Sequence, residues 1–402
     1  MDKKRIYLDN SATTPIDEQV CRTISDCLIN KYGNPSSLHS FGQEAKTLLD
    51  ESRSKVAELL NAEKKEEIIF TSGGTESDNL AIKGIAYVNK GKGNHIITSS
   101  IEHHAVLHSC KYLEKNGFDV TYLPVDKYGK VSPESLTKAI TPKTILVSIM
   151  HANNEVGTIQ PISDFGKIIK DINKKRSAEK LPTIYFHTDA VQTAGKLRLD
   201  VQQLGVDLMS VSAHKFYGPK GIGVLYLKQG TRLEPIIHGG HHEKKMRAGT
   251  ENLSGIVAIA KALEIAIEKI DKETKRISDL RNKLEKGILE KIPSISVNGH
   301  PQDRICTISN ISFQFIEGEG LLLHLDLNGV ACSTGSACAS GSLEPSHVLK
   351  AMGIETTIAQ GAIRFSLGYQ NTEKDIDYVL EILPGIISKI REMSPLWQKK
   401  GS

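Results

Sequence analysis

Up to about residue 250 the apolar residues fall in short runs separated by segments with a different period. Ile68-Ile69-Phe70, His95-Ile96-Ile97-Thr98, Val120-Thr121-Tyr122-Leu123, Ile145 to Ile149, Ile184 to His187, Leu208 to Ser212 and Gly223 to Leu227 are compact and rich in β-branched or aromatic residues. They predict strands. Elsewhere the apolar positions recur at helical spacing, as in Val20, Ile24, Cys27 and Leu28, or Ala45, Leu48, Leu49, Ser52, Val56, Leu59 and Leu60. Asn79-Leu80-Ala81-Ile82 begins another such helix, and Ala105 a further one. Strands alternating with helices predict an α/β fold with a largely parallel sheet covered on both faces.

The pattern changes near Glu251. A charged helical stretch from about Gly255 to Ile292 reads as the connection to a smaller α+β domain. There Cys306 to Phe313 and Ile363 to Leu367 read as strands, Gly320 to Leu327 and Glu373 to Arg391 as helices. A chain of 402 residues suits two packed domains. A start of charge without an apolar core argues against a secretory signal, and no run is long enough to span a membrane. With 51 basic against 47 acidic residues and no basic tract interleaved with aromatics, nucleic acid is not expected as a partner. The six cysteines are scattered without a CxxC pair, which argues against a disulfide framework or a zinc site and for a reducing cytoplasm.

Polar clusters sit where the strands end, the place at which parallel sheets gather function. Ser212-Ala213-His214-Lys215 follows one strand and leads through Gly218-Pro219-Lys220-Gly221 into the next. Lys215 is either a surface lysine in a hairpin or an amine whose burial lets it form a Schiff base. Gly73-Gly74-Thr75-Glu76, between a strand and a helix, is an ordinary turn or an anion cradle; it matches neither the Walker A loop nor the dinucleotide fingerprint. Asp189 closes a strand, as a helix cap or as the partner of a protonated ring nitrogen. Lysine and acid together are what pyridoxal phosphate chemistry requires. His103 and His104 open a helix. A metal reading would enlist His108 but finds no third ligand, so a ring stacked on a cofactor fits better. His238 to His242 reads as a Gly-rich loop with polar tips. Cys338 stands in Ser333 to Ser342, a run of small residues that reads as presenting a reactive thiol, whereas Cys332 reads as buried.

These residues carry a resemblance over nearly the whole chain. Tyr7 to Pro15, Tyr32-Gly33-Asn34-Pro35-Ser36-Ser37-Leu38-His39, Thr71 to Glu76, Asn153-Asn154-Glu155, Ser212 to Lys215, Arg247-Ala248-Gly249-Thr250 and Gly335-Ser336-Ala337-Cys338 resemble the PLP-dependent cysteine desulfurases of the NifS/IscS type, in the class V aminotransferase family. The resemblance implies PLP fold type I: a large domain over residues 16–255 with a mostly parallel seven-stranded sheet, and a smaller α+β domain over 256–402 with the catalytic-cysteine loop at 332–342. Residues 1–15 would join the smaller domain. It implies Lys215 as the cofactor's lysine, Asp189 at the ring nitrogen, Gln192 at the phenolic oxygen and His103 on the ring. Gly74, Thr75, Ser212 and His214 would hold the phosphate, with Thr250 reaching it from the other subunit of a homodimer. Asn154 and Arg364 would orient L-cysteine, and Cys338 would accept its sulfur for an acceptor or Fe–S scaffold protein. Gly74 stands where alanine is frequent, His242 where glutamine is, Lys244-Lys245 where a glycine often occurs, and Tyr369 where arginine is frequent. Other readings are a selenocysteine lyase, an aminotransferase or another PLP enzyme of the same fold, a non-catalytic scaffold partner, and a shared Fe–S ligand role for Cys332 or Cys338 with ligands from another chain.

Overall fold

Strand β1 (Ile6–Tyr7) precedes two helices, Glu18–Asn30 and Ser40–Leu59, in a computed structural model that describes residues 5–334, 345–394 and 397. Seven strands then form one sheet: β2 (Ile68–Thr71), β3 (His95–Ser99), β4 (Asp119–Leu123), β5 (Thr144–Ser148), β6 (Tyr185–Asp189), β7 (Leu208–Ser212) and β8 (Gly223–Leu227). Their order is β2-β8-β7-β6-β5-β3-β4. The run from β7 to β4 is parallel, and β8 lies antiparallel between β7 and β2.

The unbroken apolar runs follow from cover on both faces. Phe70, Ile97, Val147, Phe186, Met209 and Val224 join one core, while Ile69, Ile96, Leu146, Leu208 and Leu225 join the other. All these strand residues are buried, so a one-residue slip would exchange the two faces without exposing either. What holds register at the site is the β7–β8 pairing, with Ser212 opposite Gly223.

A second core packs around β9 (Ile295–Asn298), β10 (Ile308–Phe313), β11 (Val330–Ala331) and β12 (Ala362–Ser366). Strands β12-β10-β9 form an antiparallel sheet, and β1 pairs in parallel with β11. Ile6 and Leu8 are therefore buried with Phe313 and Phe365, although they begin the chain. The helix Leu253–Lys291 spans 39 residues, about 58 Å at 1.5 Å per residue. Its first part, through Ala266, packs in the larger core, and Ile277, Leu284 and Ile288 pack in the second. The helix thus belongs to both cores as well as connecting them.

Several elements differ from expectation. The helix after β2 begins at Gly74, five positions before Asn79, because Gly73 takes φ 151° and turns the chain directly into its first turn. A side chain at Gly73 would be strained, and a Cβ at Gly223 would sit 2.7 Å from the Gly73 backbone. Strand β9 and the helix His347–Ala351 were not anticipated. Both are short: β9 does alternate, Ile295 and Val297 against Ser296 and Asn298, but over only four residues and with one strand neighbour. No helix among the described residues is long and apolar enough to cross a membrane.

Candidate active site

The carboxyl ends of β2, β3, β5, β6 and β7 share one edge of the sheet, and their following loops converge on a cavity of about 370 Å3. Gly74, Thr75, His103, Asn154, Asp189, Gln192, Ser212, His214, Lys215 and Arg364 all line it. Thr250 does not line the cavity of its own chain and is exposed. Cys338 lies outside the described residues.

Lys215 ends a short 3-10 turn, Ala213–Lys215, directly after β7. The turn is closed by Phe216 and Gly218 N–H groups donating to the Ala213 carbonyl, both at 3.0 Å. The Lys215 amine points back to the start of the chain and donates to the carbonyls of Ser11 (2.6 Å) and Ala12 (2.8 Å). The irregular segment after β1 is held there by Thr14 N–H on the His214 carbonyl (2.9 Å). Lys215 is therefore no surface hairpin lysine.

Asp189 is buried, and one of its oxygens accepts the Val191 N–H at 2.9 Å. Burial raises its pKa to about 6, against the opposing pull of that N–H and of the Lys215 charge. Two further carboxyls lie close by. Burial, then the Asp189 charge, pushes Asp78 well above the carboxylate range, and burial lifts Glu102 to about 8. Of the three, Asp189 is the one poised to ionise at neutral pH, and a cation beside it would complete the pairing. The Gln192 side chain donates to the Ser11 carbonyl (3.0 Å), leaving its buried oxygen without a hydrogen-bond partner on the cavity side of the site.

His103 caps the helix His104–Glu114, its Nδ1 accepting the Ala105 N–H at 3.1 Å. That bond assigns the ring proton to Nε2. Burial, then the Lys215 charge, lowers its pKa to about 4, so the ring is neutral at neutral pH. At the other end of the cavity Gly74 and Thr75 form the first turn of the helix Gly74–Asn89, whose free N–H groups favour an anion. A Cβ at Gly74 would come within 2.8 Å of a methyl of the β-branched Val191, so alanine there would require Val191 to shift.

Arg364, on β12, is 3% exposed and forks between the Asn154 carbonyl and Asp9 Oδ1, both at 2.9 Å. It is a buried ion pair rather than a surface one, and its Nε has no hydrogen-bond partner.

Residue-type reasoning assigned no role to several lining groups: Ser11, Ala12, Asp78, Met150, Glu155, Val191 and His347. His347 donates to or accepts from no side chain of the expected set; its Nε2 meets the Glu102 carbonyl (2.9 Å), and its ring lies 4.9 Å from His104. His104 in turn lies 5.0 Å from His108, yet no group of three or more His, Cys, Asp or Glu among the described residues could hold a metal ion. The signal for Ser11 and Ala12 was the irregular polar stretch Asp9 to Pro15. Cys332 is buried, and burial pushes its thiol far above the usual range, which leaves it inert as a nucleophile.

A large domain with a mostly parallel sheet, a strand-end lysine and a buried acid define a PLP enzyme of fold type I. The Aminotransferase class-V family model matches residues 6–379, and the chain belongs to that family. Cysteine desulfurase IscS of Dictyoglomus turgidum is 52% identical over 397 residues, covering 99% of this chain and 98% of that protein. Cysteine desulfurase IscS of Methanosarcina thermophila is 52% identical over 399 residues, covering 99% and 96%. A solved structure described as a NifS-like protein superposes with TM-score 0.89 at 42% identity, over 96% of this chain and 100% of that one. Within the family its place is among the NifS/IscS-like cysteine desulfurases. Their cofactor is pyridoxal 5'-phosphate, and the residues here fit it. The unpartnered Gln192 oxygen, the single N–H on Asp189, the open helix N-terminus and the lysine amine would offer it an acceptor, a counter-charge, an anion seat and a covalent anchor.

Proposed function

We propose that this protein takes sulfur from L-cysteine, releases L-alanine and leaves a persulfide on Cys338 for transfer to an acceptor protein. The observation that carries the reading is the meeting of Lys215, Asp189 and Arg364 in one cavity. Bound pyridoxal phosphate supplies an electron sink that makes the substrate Cα proton acidic. Lys215 would anchor it, Asp189 would hold the ring nitrogen protonated, Gln192 would bond the phenolic oxygen, and Gly74, Thr75, Ser212 and His214 would seat the phosphate. Arg364 turns its planar fork to the substrate carboxylate, with Asn154 beside it. The Lys215 amine, released when the substrate amine displaces it, removes the Cα proton, and neutral His103 hands protons on through Nε2. The Cys338 thiolate attacks the substrate sulfur. A new S–S bond forms as the Cβ–S bond breaks, and the electron pair stays with the carbon fragment, which is protonated to alanine.

Two copies form a homodimer in which the partner subunit's Thr250 completes the phosphate seat. Exposed Leu28, Ile29, Tyr32, Leu38 and Phe41 supply apolar surface for it. The acceptor is a protein of the iron–sulfur scaffold or sulfur-carrier class, and a reducing cytoplasm suits a transferable persulfide. The test is a cysteine-dependent assay of sulfide and alanine with a UV–visible spectrum. Cys338→Ala should lose sulfide release and keep the cofactor band; normal turnover in that variant with no other thiol labelled would overturn the scheme.

A further inference from the structure

Beneath the cofactor lysine lies a second lysine for which the scheme above has no use. Lys196 follows Gly195, which takes φ 71°, and a Cβ at Gly195 would meet Phe216 and Ala266 side chains at 2.6 and 2.9 Å. The turn Ala190 to Lys196, closed by Ala194 N–H on the Ala190 carbonyl (3.0 Å) and Lys196 N–H on the Thr193 carbonyl (2.9 Å), folds Lys196 back under Gln192. The Lys196 amine donates to the Gln192 carbonyl at 3.0 Å and to the Lys215 carbonyl at 3.2 Å. Both acceptors are main-chain atoms of residues that face the cofactor.

The residue is half-buried and lines a small pocket with Lys215, Tyr217, Glu273, Thr274, Cys306 and Tyr369. No carboxylate bonds it among the described residues: Glu273, on the long helix, is turned to Arg276 at 2.6 Å. Burial, and then the Lys215 charge, lowers the Lys196 pKa to about 7, against a weaker pull from Cys306. The Cys306 thiol is itself raised by burial, and burial raises both facing phenols, Tyr217 and Tyr369. Glu273 lines the same pocket but is paired with Arg276, and at Lys215 the Asp189 carboxylate opposes the Lys196 charge.

We propose that Lys196 is a positioning residue for Lys215: it ties the main chains of Gln192 and Lys215 together, and its charge favours the neutral form of the Lys215 nitrogen. The Ser11 and Ala12 carbonyls pull the other way, because they favour an ammonium. Lys196 offsets them from below. A neutral Lys215 amine is the form that bonds a carbonyl carbon and the form that accepts a proton, so one charge serves both the loading of the cofactor and its turnover. The inference rests on the reading of Lys215 as the cofactor's lysine.

The experiment uses the loaded protein and follows the pH midpoint of the cofactor absorbance, which reports protonation of the Lys215 nitrogen. Lys196→Gln keeps a donor for one carbonyl and removes the charge; its midpoint should rise by about one unit. Lys196→Arg keeps the charge and should stay within about 0.3 unit of the unaltered protein. In Lys196→Gln, kcat at pH 7 should fall about tenfold, with KM for L-cysteine changed less than about threefold. Should either variant fail to fold, judged by thermal melting of the apo protein, Cys306→Asp sets an anion beside Lys196 and should raise the midpoint in the same direction. An unmoved midpoint in loaded Lys196→Gln, or equal shifts in the Gln and Arg variants, overturns the role of the charge. Failure of the underlying reading is separate, since the unaltered protein would then show neither the cofactor band nor alanine.

Discussion

The turn at Glu243-Lys244-Lys245 runs through three successive left-handed residues, with φ of 44°, 56° and 69°. None is glycine, although glycine is common there among the proteins this chain resembles. Left-handed backbone costs a residue with a Cβ about 1–2 kcal/mol, so the turn stores roughly 3–6 kcal/mol. Glu243 is what holds it. Its carboxylate takes both Arg53 guanidinium nitrogens at 2.7 Å and the Phe70 N–H at 3.0 Å, while Arg53 also donates to the Ile68 carbonyl at 2.6 Å. Strand β2 is the edge of its sheet, so the pair satisfies main-chain groups that would otherwise lack partners. Removing one member of a buried ion pair costs about 3–5 kcal/mol, and relaxation of the turn returns part of it. Glu243→Ala should therefore cost a net 2–3 kcal/mol or so, which is about a 30- to 140-fold increase in exchange. Because a chain with two cores need not unfold in one step, the assay is amide hydrogen exchange over residues 66–72 and 240–250. Lys244→Gly should slow exchange in the unaltered protein, by about 0.5–1 kcal/mol once glycine's extra chain entropy is subtracted. In Glu243→Ala the same glycine should give less, since part of the strain has already gone. Faster exchange in Lys244→Gly, or a cost under about 1 kcal/mol for Glu243→Ala, would refute the argument that strain and clamp are matched.

Further expectations concern the site and its carboxyls. Asp189→Asn keeps the Val191 contact but not the charge, and should weaken cofactor binding about 10- to 150-fold in an absorbance titration of the apo protein; unchanged affinity would remove Asp189 from the ring nitrogen. Arg364→Lys loses the planar fork, so KM for L-cysteine should rise about tenfold with kcat less affected, whereas a pure kcat effect would mean that Arg364 serves only its pair with Asp9. Glu102 has its pKa raised by burial to about 8, so the folded protein binds its proton more tightly than the unfolded chain between pH 4.5 and 8. Its contribution is full below pH 4.5 and is lost as pH rises through 8. Glu102→Gln mimics the protonated form and should flatten the fall of the melting temperature between pH 5 and 9; an unchanged slope would show that Glu102 ionises freely.

The strand ends were legible because their chemistry depends on side-chain type and local period. An acid after Tyr185-Phe186-His187-Thr188, or a lysine after Val211-Ser212-Ala213-His214, is visible in sequence order once the buried runs are recognised. The groups that escaped detection share a different property: they work through main-chain atoms or across long separations. The carbonyls of Ser11 and Ala12 hold the Lys215 amine, and any residue type would offer the same carbonyl. His347 reaches the Glu102 carbonyl across 245 positions, and Glu243 reaches Arg53 across 190. Lys196 makes the point most sharply. In the sequence it is one more lysine after a glycine, as Lys220-Gly221 and Gly218-Pro219 also crowd a turn. Its position under Lys215 depends on Gly195 admitting Phe216 and Ala266 where a side chain would stand. The positive φ and the close approach are tertiary facts, set by the long helix packing against the turn after β7. Residue type thus pointed to the nitrogen proposed to react, while the fold determines what surrounds it.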